Sequence, residues 1–595
     1  MTVRVRRDPI TFELVKNALA SIADEMAVTI VRTARSFVMK EAMDFSTAIC
    51  NADGHMVAQG LCLPLHMGSI PAAMEALLAR YGGQFSPGDI YALNDPYEGG
   101  SHLPDIFVIK PIFFDDRLAG FSCCIGHQAD IGGRVAGGNA CDSTEIFQEG
   151  LRIPPVKLYD RGTPNDTLFR LLEKNVRVPA TVLGDVMAEV AACRSGEREF
   201  LKLIQRYGLE ALQEHMQDLL DYTEELTRAE LRSLPDGVFA FTDYIDDDGI
   251  TPDPITIHVQ LIKQGDALTA DFTGTSPQCK GAINAPLSWT KSCLYACIRS
   301  ILDPSIPNNA GYFRPLTVIA PEGSFTNCVL PAPVAARGLA GMRIPEAIFG
   351  ALAKMLPHKV FACEVAGDTG VTIAGYHKDR TPFVFLEFLY GSWGGSPTRD
   401  GIDGCASLAI NYSNTPAELI EVEQPIIIEQ YGYVPNSGGP GKFRGGLALV
   451  RDYRFLADEA YVQVRCDRYK FLPYGLHGGK DGTPANNTLN PHAENRPLPS
   501  KFLLNVQKGD VFRTVLAGPG GWGDPLERDP ELVCADARNE KISVDYAQRE
   551  YGVVLDARTW TVDWQATEAL REALRRARKP SGQAKDPAPL ASAEA

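Results

Sequence analysis

Apolar residues near the start of the chain recur at intervals of three or four positions. They are Phe12, Val15, Leu19, Ile22, Met26 and Ile30. This spacing places them on one face of a helix of about six turns, with that face packed on a core. Asp8-Pro9 joins a helix-capping residue to a proline suited to the first helical position. The pattern therefore predicts a long amphipathic helix that follows Asp8.

Shorter apolar runs come next, separated by turn-forming residues as the strands of a sheet are. One β-hairpin is predicted around the turn at 51–54. A second is predicted from the runs 106–114 and 118–125, with Asp115-Asp116-Arg117 as its loop. If residue 114 pairs with residue 118, the numbers of any two facing residues add up to the same total. The length of the loop therefore determines which residues face each other across the hairpin.

Helical and strand patterns are mixed through the rest of the chain. Helices are predicted at 168–175, 183–227 (interrupted at 195–196), 287–302, 345–356 and 533–551, and strands at 238–244, 255–262, 267–272 and through most of 383–512. Because strands and helices do not alternate regularly, a doubly wound parallel sheet is not expected. The predicted fold class is α+β: a mixed, multi-lobed chain with an N-terminal helix and β-hairpins and a β-rich C-terminal half.

Four regions are predicted along the 595 residues. They are an N-terminal α+β domain at 1–235, a central mixed α/β region at 236–377, a β-rich C-terminal region at 378–555, and an extension with a disordered tail at 556–595. The tail from about residue 580 is rich in proline, alanine and serine, a composition typical of disordered chain.

The charge and cysteine content exclude several classes of protein. The formal net charge is −16, from 58 basic and 74 acidic residues, which argues against binding to nucleic acids or to anionic membranes. No apolar stretch is long enough to cross a membrane, and the basic N-terminus lacks the apolar core of a signal peptide. The 14 cysteines include no C-x-x-C pair. We therefore expect a cytoplasmic protein with reduced, mostly buried thiols.

The second hairpin brings together residues suited to binding a metal ion. In the predicted register, Asp105 lies opposite His127, and directly paired residues have β-carbons about 4.5–5.5 Å apart. His102 lies three positions before Asp105, and Pro104 between them stiffens the link. Imidazole nitrogen with carboxylate oxygen suits Zn²⁺, Mn²⁺ or Fe²⁺. The alternative is that these histidines cap loops, since H-x-x-D is a short pattern.

Other candidate chemistry is weaker. The glycine-rich stretch at 437–446 lacks the Walker A spacing, and Phe443 stands where that motif has Ser or Thr. No G-x-S-x-G sequence is present. Cys123, Cys124 and Cys141 are possible nucleophiles, but the first two lie in an apolar strand and are better explained as buried thiols.

Several motifs in order along the chain form a more specific pattern. They are Asp8-Pro9-Ile10-Thr11, Asp44-Phe45-Ser46, the stretches 63–69 and 94–100, His102-Leu103-Pro104-Asp105, the stretches 126–133, 145–155 and 437–446, and Gly520 to Pro525. Together they resemble the hydantoinase B/oxoprolinase family across about residues 8–555.

The resemblance implies a set of site residues. In the family, a metal is held by an H-x-x-D pair, a histidine 25 positions after the first and an aspartate upstream, which here are His102, Asp105, His127 and Asp44. One divalent metal, Zn²⁺ or Mn²⁺, is therefore expected. The predicted catalytic residues near it are His66 and Glu149, which lie in matching motifs, and Asp130, with Asp130 or Glu149 as a proton relay.

The resemblance also implies a partner and a reaction. ATP and Mg²⁺ are expected on a separate hydantoinase A-type subunit, in a heterotetramer or larger complex. That subunit would phosphorylate the carbonyl oxygen of a small cyclic amide, and the metal site here would supply the water that hydrolyses it. Two alternatives stay open: a subunit of an ATP-dependent ketone carboxylase of the acetone or acetophenone type, and a non-catalytic scaffold for the A-type partner.

Overall fold

The structure is a computed structural model that describes residues 8–60, 63–367 and 369–577. Its helices are α1 Pro9–Thr33, α2 Phe37–Lys40, α3 Ser69–Tyr81, α4 Asp166–Asn175, α5 Pro179–Tyr207, α6 Leu209–Ser233, α7 Leu287–Ile301, α8 Ala310–Phe313, α9 Gly338–Met355, α10 Ala417–Glu423, α11 Pro530–Arg538, α12 Val544–Tyr551 and α13 Trp564–Ala577. The predicted disordered tail lies outside the described residues.

The strands show the same mixture of short and long elements. They are β1 Phe45–Asn51, β2 Met56–Gln59, β3 Ile90–Leu93, β4 Asp105–Phe114, β5 Arg117–His127, β6 Val156–Asp160, β7 Thr163–Pro164, β8 Gly237–Ile245, β9 Ile255–Gln264, β10 Ala267–Asp271, β11 Leu316–Ile319, β12 Thr369–Tyr376, β13 Pro382–Leu389, β14 Ile426–Val434, β15 Ala448–Phe455, β16 Glu459–Arg465, β17 Asn486–Leu489, β18 Arg496–Leu498, β19 Lys501–Gln507, β20 Val511–Val515, β21 Leu555–Asp556 and β22 Thr561–Val562.

The N-terminal sheet is covered on both faces. Its seven strands have the order β2-β1-β5-β4-β3-β6-β7. Helices α1 and α5 pack on one face, and α3 packs on the other. The six periodic residues of α1 are all buried, and the Asp8 carboxylate accepts hydrogen bonds from the backbone amides of Ile10 and Thr11. The predicted N-terminal helix is therefore confirmed.

The β4–β5 hairpin has the predicted register from Ile112 back to Asp105, but not next to its loop. The predicted three-residue loop is wrong, because Phe114 pairs with Arg117 and leaves only Asp115 and Asp116 in the turn, both with positive φ. Further along, β5 has one extra residue, Ala119, which forms a β-bulge. The bulge restores the predicted pairing of Asp105 with His127.

Three predicted helices have different limits. The predicted helix 183–227 is interrupted at Gly208, with φ 85°, rather than at Ser195-Gly196. Gly196 lies inside α5, where an added β-carbon would be 2.5 Å from the Met26 sulfur, so this glycine allows close helix packing. Helix α9 begins seven residues before Pro345, and the predicted helix 533–551 is two helices, α11 and α12.

The rest of the described chain forms one further helix-backed sheet, a β-sandwich, and a small C-terminal unit of α11–α13 with the β21–β22 pair. Strands β11-β10-β9-β8 form a sheet that packs on α9 and, through β11, on α7. The sheets β13-β12-β16-β19 and β14-β15-β20-β17-β18 share one hydrophobic core. The α+β fold with a β-rich C-terminal half is thus confirmed. The predicted boundary at 377 follows β12, which pairs with β13 and β16.

Two further properties concern the described part of the chain. None of its helices is both long and apolar enough to span a membrane. Its cysteines are free thiols, and most of them are buried.

Candidate metal centre

The ends of three neighbouring strands bring the predicted ligands together. Asp44 directly precedes β1, Asp105 begins β4, and His127 ends β5. Strand β5 lies between the other two, and Asp105 faces His127 across the hairpin. The His127 amide donates a 3.0 Å hydrogen bond to the Asp44 carbonyl oxygen. Backbone pairing therefore places all three carboxylate and imidazole groups at one edge of the sheet.

His102 lies in a loop that hydrogen bonds hold in place, rather than in a strand. The Asn94 side-chain amide donates to the carbonyl oxygens of Leu103 (2.7 Å) and Leu151 (2.9 Å). A β-carbon at position 100 would lie 2.3 Å from the Asn94 carbonyl oxygen, so the tight approach there requires Gly100. The Asp105 amide then donates to the His102 carbonyl oxygen at 3.1 Å. These contacts hold His102 beside Asp105.

The predicted ligand atoms form a compact group. One atom each from His102, Asp105 and His127 lies within 4.8 Å of the others, and all three residues are buried. His102 Nδ1 is 3.1 Å from Asp105 Oδ2, and His127 Nδ1 is 3.3 Å from Asp105 Oδ1. Asp44 Oδ2 lies 3.8 Å from His127 Nδ1, beside this group.

The donor atoms and their charge states fit a divalent ion. His102 Nδ1 and Asp105 Oδ1 are buried without a hydrogen-bond partner. Burial and the neighbouring Arg337 lower the pKa of His102 well below its usual value. Burial opposes ionisation of Asp105, but His102 and Arg337 hold the pKa of that carboxyl well below its usual range. Neutral imidazole and ionised carboxylate are the forms that bind metals.

His66 is the predicted catalytic residue that lies beside this group. It ends the 3₁₀ turn Pro64–His66. Its Nδ1 is 2.8 Å from Ser46 Oγ, and its Nε2 is 3.8 Å from Asp105 Oδ2. Burial is the main reason that the pKa of His66 falls to about 4. The ring is therefore neutral at neutral pH.

The other two predicted catalytic residues, Asp130 and Glu149, bind backbone and arginine groups. The Asp130 carboxylate accepts from the backbone amides of Gly137 and Arg177 and from the Arg177 guanidinium. Glu149 Oε1 accepts from the amides of Val334 and Ala335, each at 2.9 Å. Burial raises the pKa of Glu149 to about 8. Neither residue belongs to the lining of the cavity that adjoins the ligands.

That cavity has a volume of about 30 Å³, enough for at least one water molecule. Besides the four predicted metal ligands and His66, its lining comes from distant parts of the chain: Leu63, Trp289, Arg337, Gly338, Phe388, Tyr390, Ile410, Tyr412 and Arg465. Most of them follow the N-terminal region and meet the ligands only through tertiary packing. Sequence analysis missed these residues, and no spacing along the chain marks them.

Comparisons with known proteins show the family of the chain. The sequence model of the hydantoinase B/oxoprolinase family matches residues 8–525. The chain is 34% identical over 584 residues to the B subunit of a putative D-/L-hydantoinase of Pseudomonas sp. (strain NS671), covering 95% of this chain and 98% of that one. It is 32% identical over 580 residues to the beta subunit of the caprolactamase of Pseudomonas jessenii, covering 95% and 99%.

Solved structures show the same fold. The crystal structure of ATP-dependent caprolactamase from Pseudomonas jessenii superposes with a TM-score of 0.89 and 32% identity, over 96% of this chain and 100% of that one. Nucleotide-free acetone carboxylase superposes with a TM-score of 0.86 over 96% and 83%, and at 18% identity this likeness shows the fold alone. The chain belongs to the hydantoinase B/oxoprolinase family.

Proposed function

We propose that this chain is the metal-bearing B-type component of an ATP-dependent cyclic amide hydrolase. One observation carries the proposal: buried His102, Asp105 and His127 converge beside a cavity. They do so in a chain that aligns with subunits of a hydantoinase and of a caprolactamase over nearly their whole lengths. The substrate class, a small cyclic amide, follows from those relatives.

We assign ATP and Mg²⁺ to a separate A-type subunit. The relatives are named as B and beta subunits, which supports a partner chain, and the glycine-rich stretch at 437–446 is not a Walker A motif. The partner would transfer phosphate to the amide oxygen, because an unstrained amide carbonyl resists attack by water. We propose a heterotetramer or a larger complex.

In the hydrolytic half-reaction, His102, Asp105 and His127 would hold one Zn²⁺ or Mn²⁺, with Asp44 as a fourth ligand or as a partner that orients His127. Such an ion supplies Lewis acidity, which in zinc enzymes lowers the pKa of water to about 7. The side chains exclude bulk water from the substrate carbon, since the ligand residues are buried. Addition of water, with protonation of the ring nitrogen and cleavage of the C–N bond, would leave an acyl phosphate. A second water would then hydrolyse the acyl phosphate to the carboxylate and free phosphate.

His66 is the residue best placed to move the proton. When Ser46 accepts a hydrogen bond from Nδ1, the Nε2 lone pair faces the Asp105 side of the cavity. A neutral imidazole can take a proton from water and return it to the ring nitrogen. We propose that Asp130 and Glu149 act through the backbone segments that they hold.

Reconstitution with the A-type partner tests this function. The substrates are hydantoin, N-methylhydantoin, 5-oxoproline and caprolactam, and ring opening is measured with and without ATP. We expect activity that needs both chains and ATP, and a loss of more than about 100-fold in His102→Ala because a metal ligand is gone. His55→Ala, an exposed histidine of the same region, is the matched control.

Three outcomes separate the alternatives. Full activity of His102→Ala would support a scaffold that shapes the partner's site. ATP- and bicarbonate-dependent consumption of a ketone, with no ring opening, would support a carboxylase. Ring opening by the A-type partner alone would contradict the proposed division of labour.

A further inference from the structure

Two arginines share the cavity with the proposed metal ligands. Arg337 lies at the N-terminal end of α9, and Arg465 ends β16. Both are 4% exposed, and arginine is almost never so deeply buried unless it is paired. Neither is needed to complete the ligand set, so their presence requires a separate explanation.

Arg337 lies over an aromatic ring and beside the proposed metal ligand Asp105. Its guanidinium carbon lies 3.4 Å from the centre of the Trp289 ring. The group donates to the Asp105 carboxylate and, at 3.0 Å, to Ser101 Oγ. Its Nε is buried and has no hydrogen-bond partner. The guanidinium is thus oriented in advance, and one of its donors is unsatisfied.

Arg465 is arranged in the same way by a different part of the chain. Its guanidinium carbon lies 4.7 Å from the centre of the Phe388 ring, and its Nη1 donates to Asn139 Oδ1 at 2.9 Å. Asn139 in turn places its amide nitrogen 3.5 Å from His127 Nε2. Arg465 is therefore linked to the ligand group through one residue.

The charges that line the cavity do not balance once a divalent ion is counted. Asp44 and Asp105 offset Arg337 and Arg465, and metal-binding imidazoles are neutral. The two positive charges of the ion then remain among buried side chains. An uncompensated buried charge is costly. A neutral amide would leave this excess in place, whereas a phosphoryl group carries a charge of about −1.5 to −2.

We propose that Arg337 and Arg465 form a phosphoryl subsite beside the metal centre. The planar guanidinium fork matches phosphate oxygens in geometry. The identity of the ligand rests on the proposed function, but the subsite itself can be tested without the reaction.

The probe is inorganic phosphate, added to the full chain loaded with Mn²⁺ or Zn²⁺. Binding is measured by calorimetry, and proximity by the broadening of the ³¹P resonance in the Mn²⁺ form. Metal content is measured separately for every variant. The variants are Arg465→Gln and Arg337→Lys, which keeps the positive charge beside Asp105. Arg454→Gln, a surface arginine that pairs with Glu429, is the control.

We expect phosphate to bind the metal-loaded protein, and affinity to fall at least about tenfold in Arg465→Gln and Arg337→Lys, since each loses charge-assisted hydrogen bonds. Arg465→Gln should retain its metal. Unchanged phosphate affinity in metal-loaded Arg465→Gln would overturn the subsite, as would equal affinity of the metal-free wild type or no binding at all. Ring opening without this arginine dependence would reject the subsite and keep the function. Arginine-dependent phosphate binding without ring opening would keep the subsite and reject the proposed function.

Discussion

Two buried clusters of charged side chains differ in the chemistry of their partners. In the metal-site cluster, Asp105 lies among His102, His127 and Arg337. In the second, which we call the arginine–aspartate cluster, Arg343 contacts Asp243 at 3.1 Å and Asp467 at 3.3 Å, and Arg468 lies 3.5 Å from Asp243. Helix α9 contributes to the second cluster and begins beside the first.

The difference shows that buried charge alone does not mark a functional site. Each carboxylate of the arginine–aspartate cluster faces a guanidinium, which has no lone pair to offer and repels a metal ion. The metal-site cluster adds imidazole nitrogens, which do offer lone pairs, and it adjoins a cavity. We therefore interpret the first cluster as chemical and the second as structural.

The largest expected effect comes from replacing the central carboxylate of the metal-site cluster. Asp105→Asn keeps the shape but removes the charge that faces both histidines, so metal affinity should fall more than about 100-fold. Equilibrium titration with Zn²⁺ and Mn²⁺ measures it. Asp243→Asn is the matched change in the arginine–aspartate cluster and should leave metal affinity unchanged. Equal losses of metal affinity in the two variants would contradict the distinction between the two clusters.

The arginine–aspartate cluster should show the opposite response. Arg343→Met leaves Asp243 and Asp467 buried with one cation fewer, which typically costs about 3–5 kcal/mol. The free energy of unfolding, from urea titration, should fall by that amount while metal content stays the same. A stable variant that had lost its metal would assign Arg343 to the site instead.

His66 should make stability depend on pH in the metal-free protein. Because its folded pKa is about 4 against a usual value of 6.5, the unfolded chain binds this proton more readily between those values. The contribution of neutral His66 to the free energy of unfolding is fully present above pH 6.5. It falls by about 3 kcal/mol as the pH falls towards 4. His66→Gln should lose less stability over the same range. Parallel pH profiles of the two proteins would contradict a buried neutral His66.

The smallest effects are expected at the residues that hold backbone segments. Glu149→Gln keeps an acceptor for the amides of Val334 and Ala335, so kcat should change less than about tenfold, with the same pH dependence. A proton-transfer residue would lose about 10²–10⁴-fold. A loss of kcat of that size, with a shifted pH profile, would show that Glu149 transfers a proton in the reaction. The same measurement and the same expectation apply to Asp130→Asn.

Sequence analysis placed His102, Asp105 and His127 together because their positions depend on local geometry. The pairing of Asp105 with His127 follows from one hairpin, and the H-x-x-D spacing adds His102. The loop length was wrong by one residue, and the Ala119 bulge compensated for it. No hydrophobic pattern distinguishes a bulge from a longer turn, so this agreement depended on a feature that the sequence does not display.

The walls of the cavity could not be predicted in the same way. Trp289, Arg337, Phe388 and Arg465 come from four elements or their ends and meet only when the sheets pack together. Each looks ordinary in its own segment. Helix limits were also missed where packing decides them, as at Gly208 and at the N-terminal end of α9.

The most direct test of the account is anomalous diffraction from crystals of the chain grown with Zn²⁺ or Mn²⁺, recorded at the absorption edge of the metal. We predict one strong peak within about 2.0–2.3 Å of nitrogen atoms of His102 and His127 and of an Asp105 oxygen. A peak elsewhere, or none between these three residues at saturating metal, would contradict the metal centre.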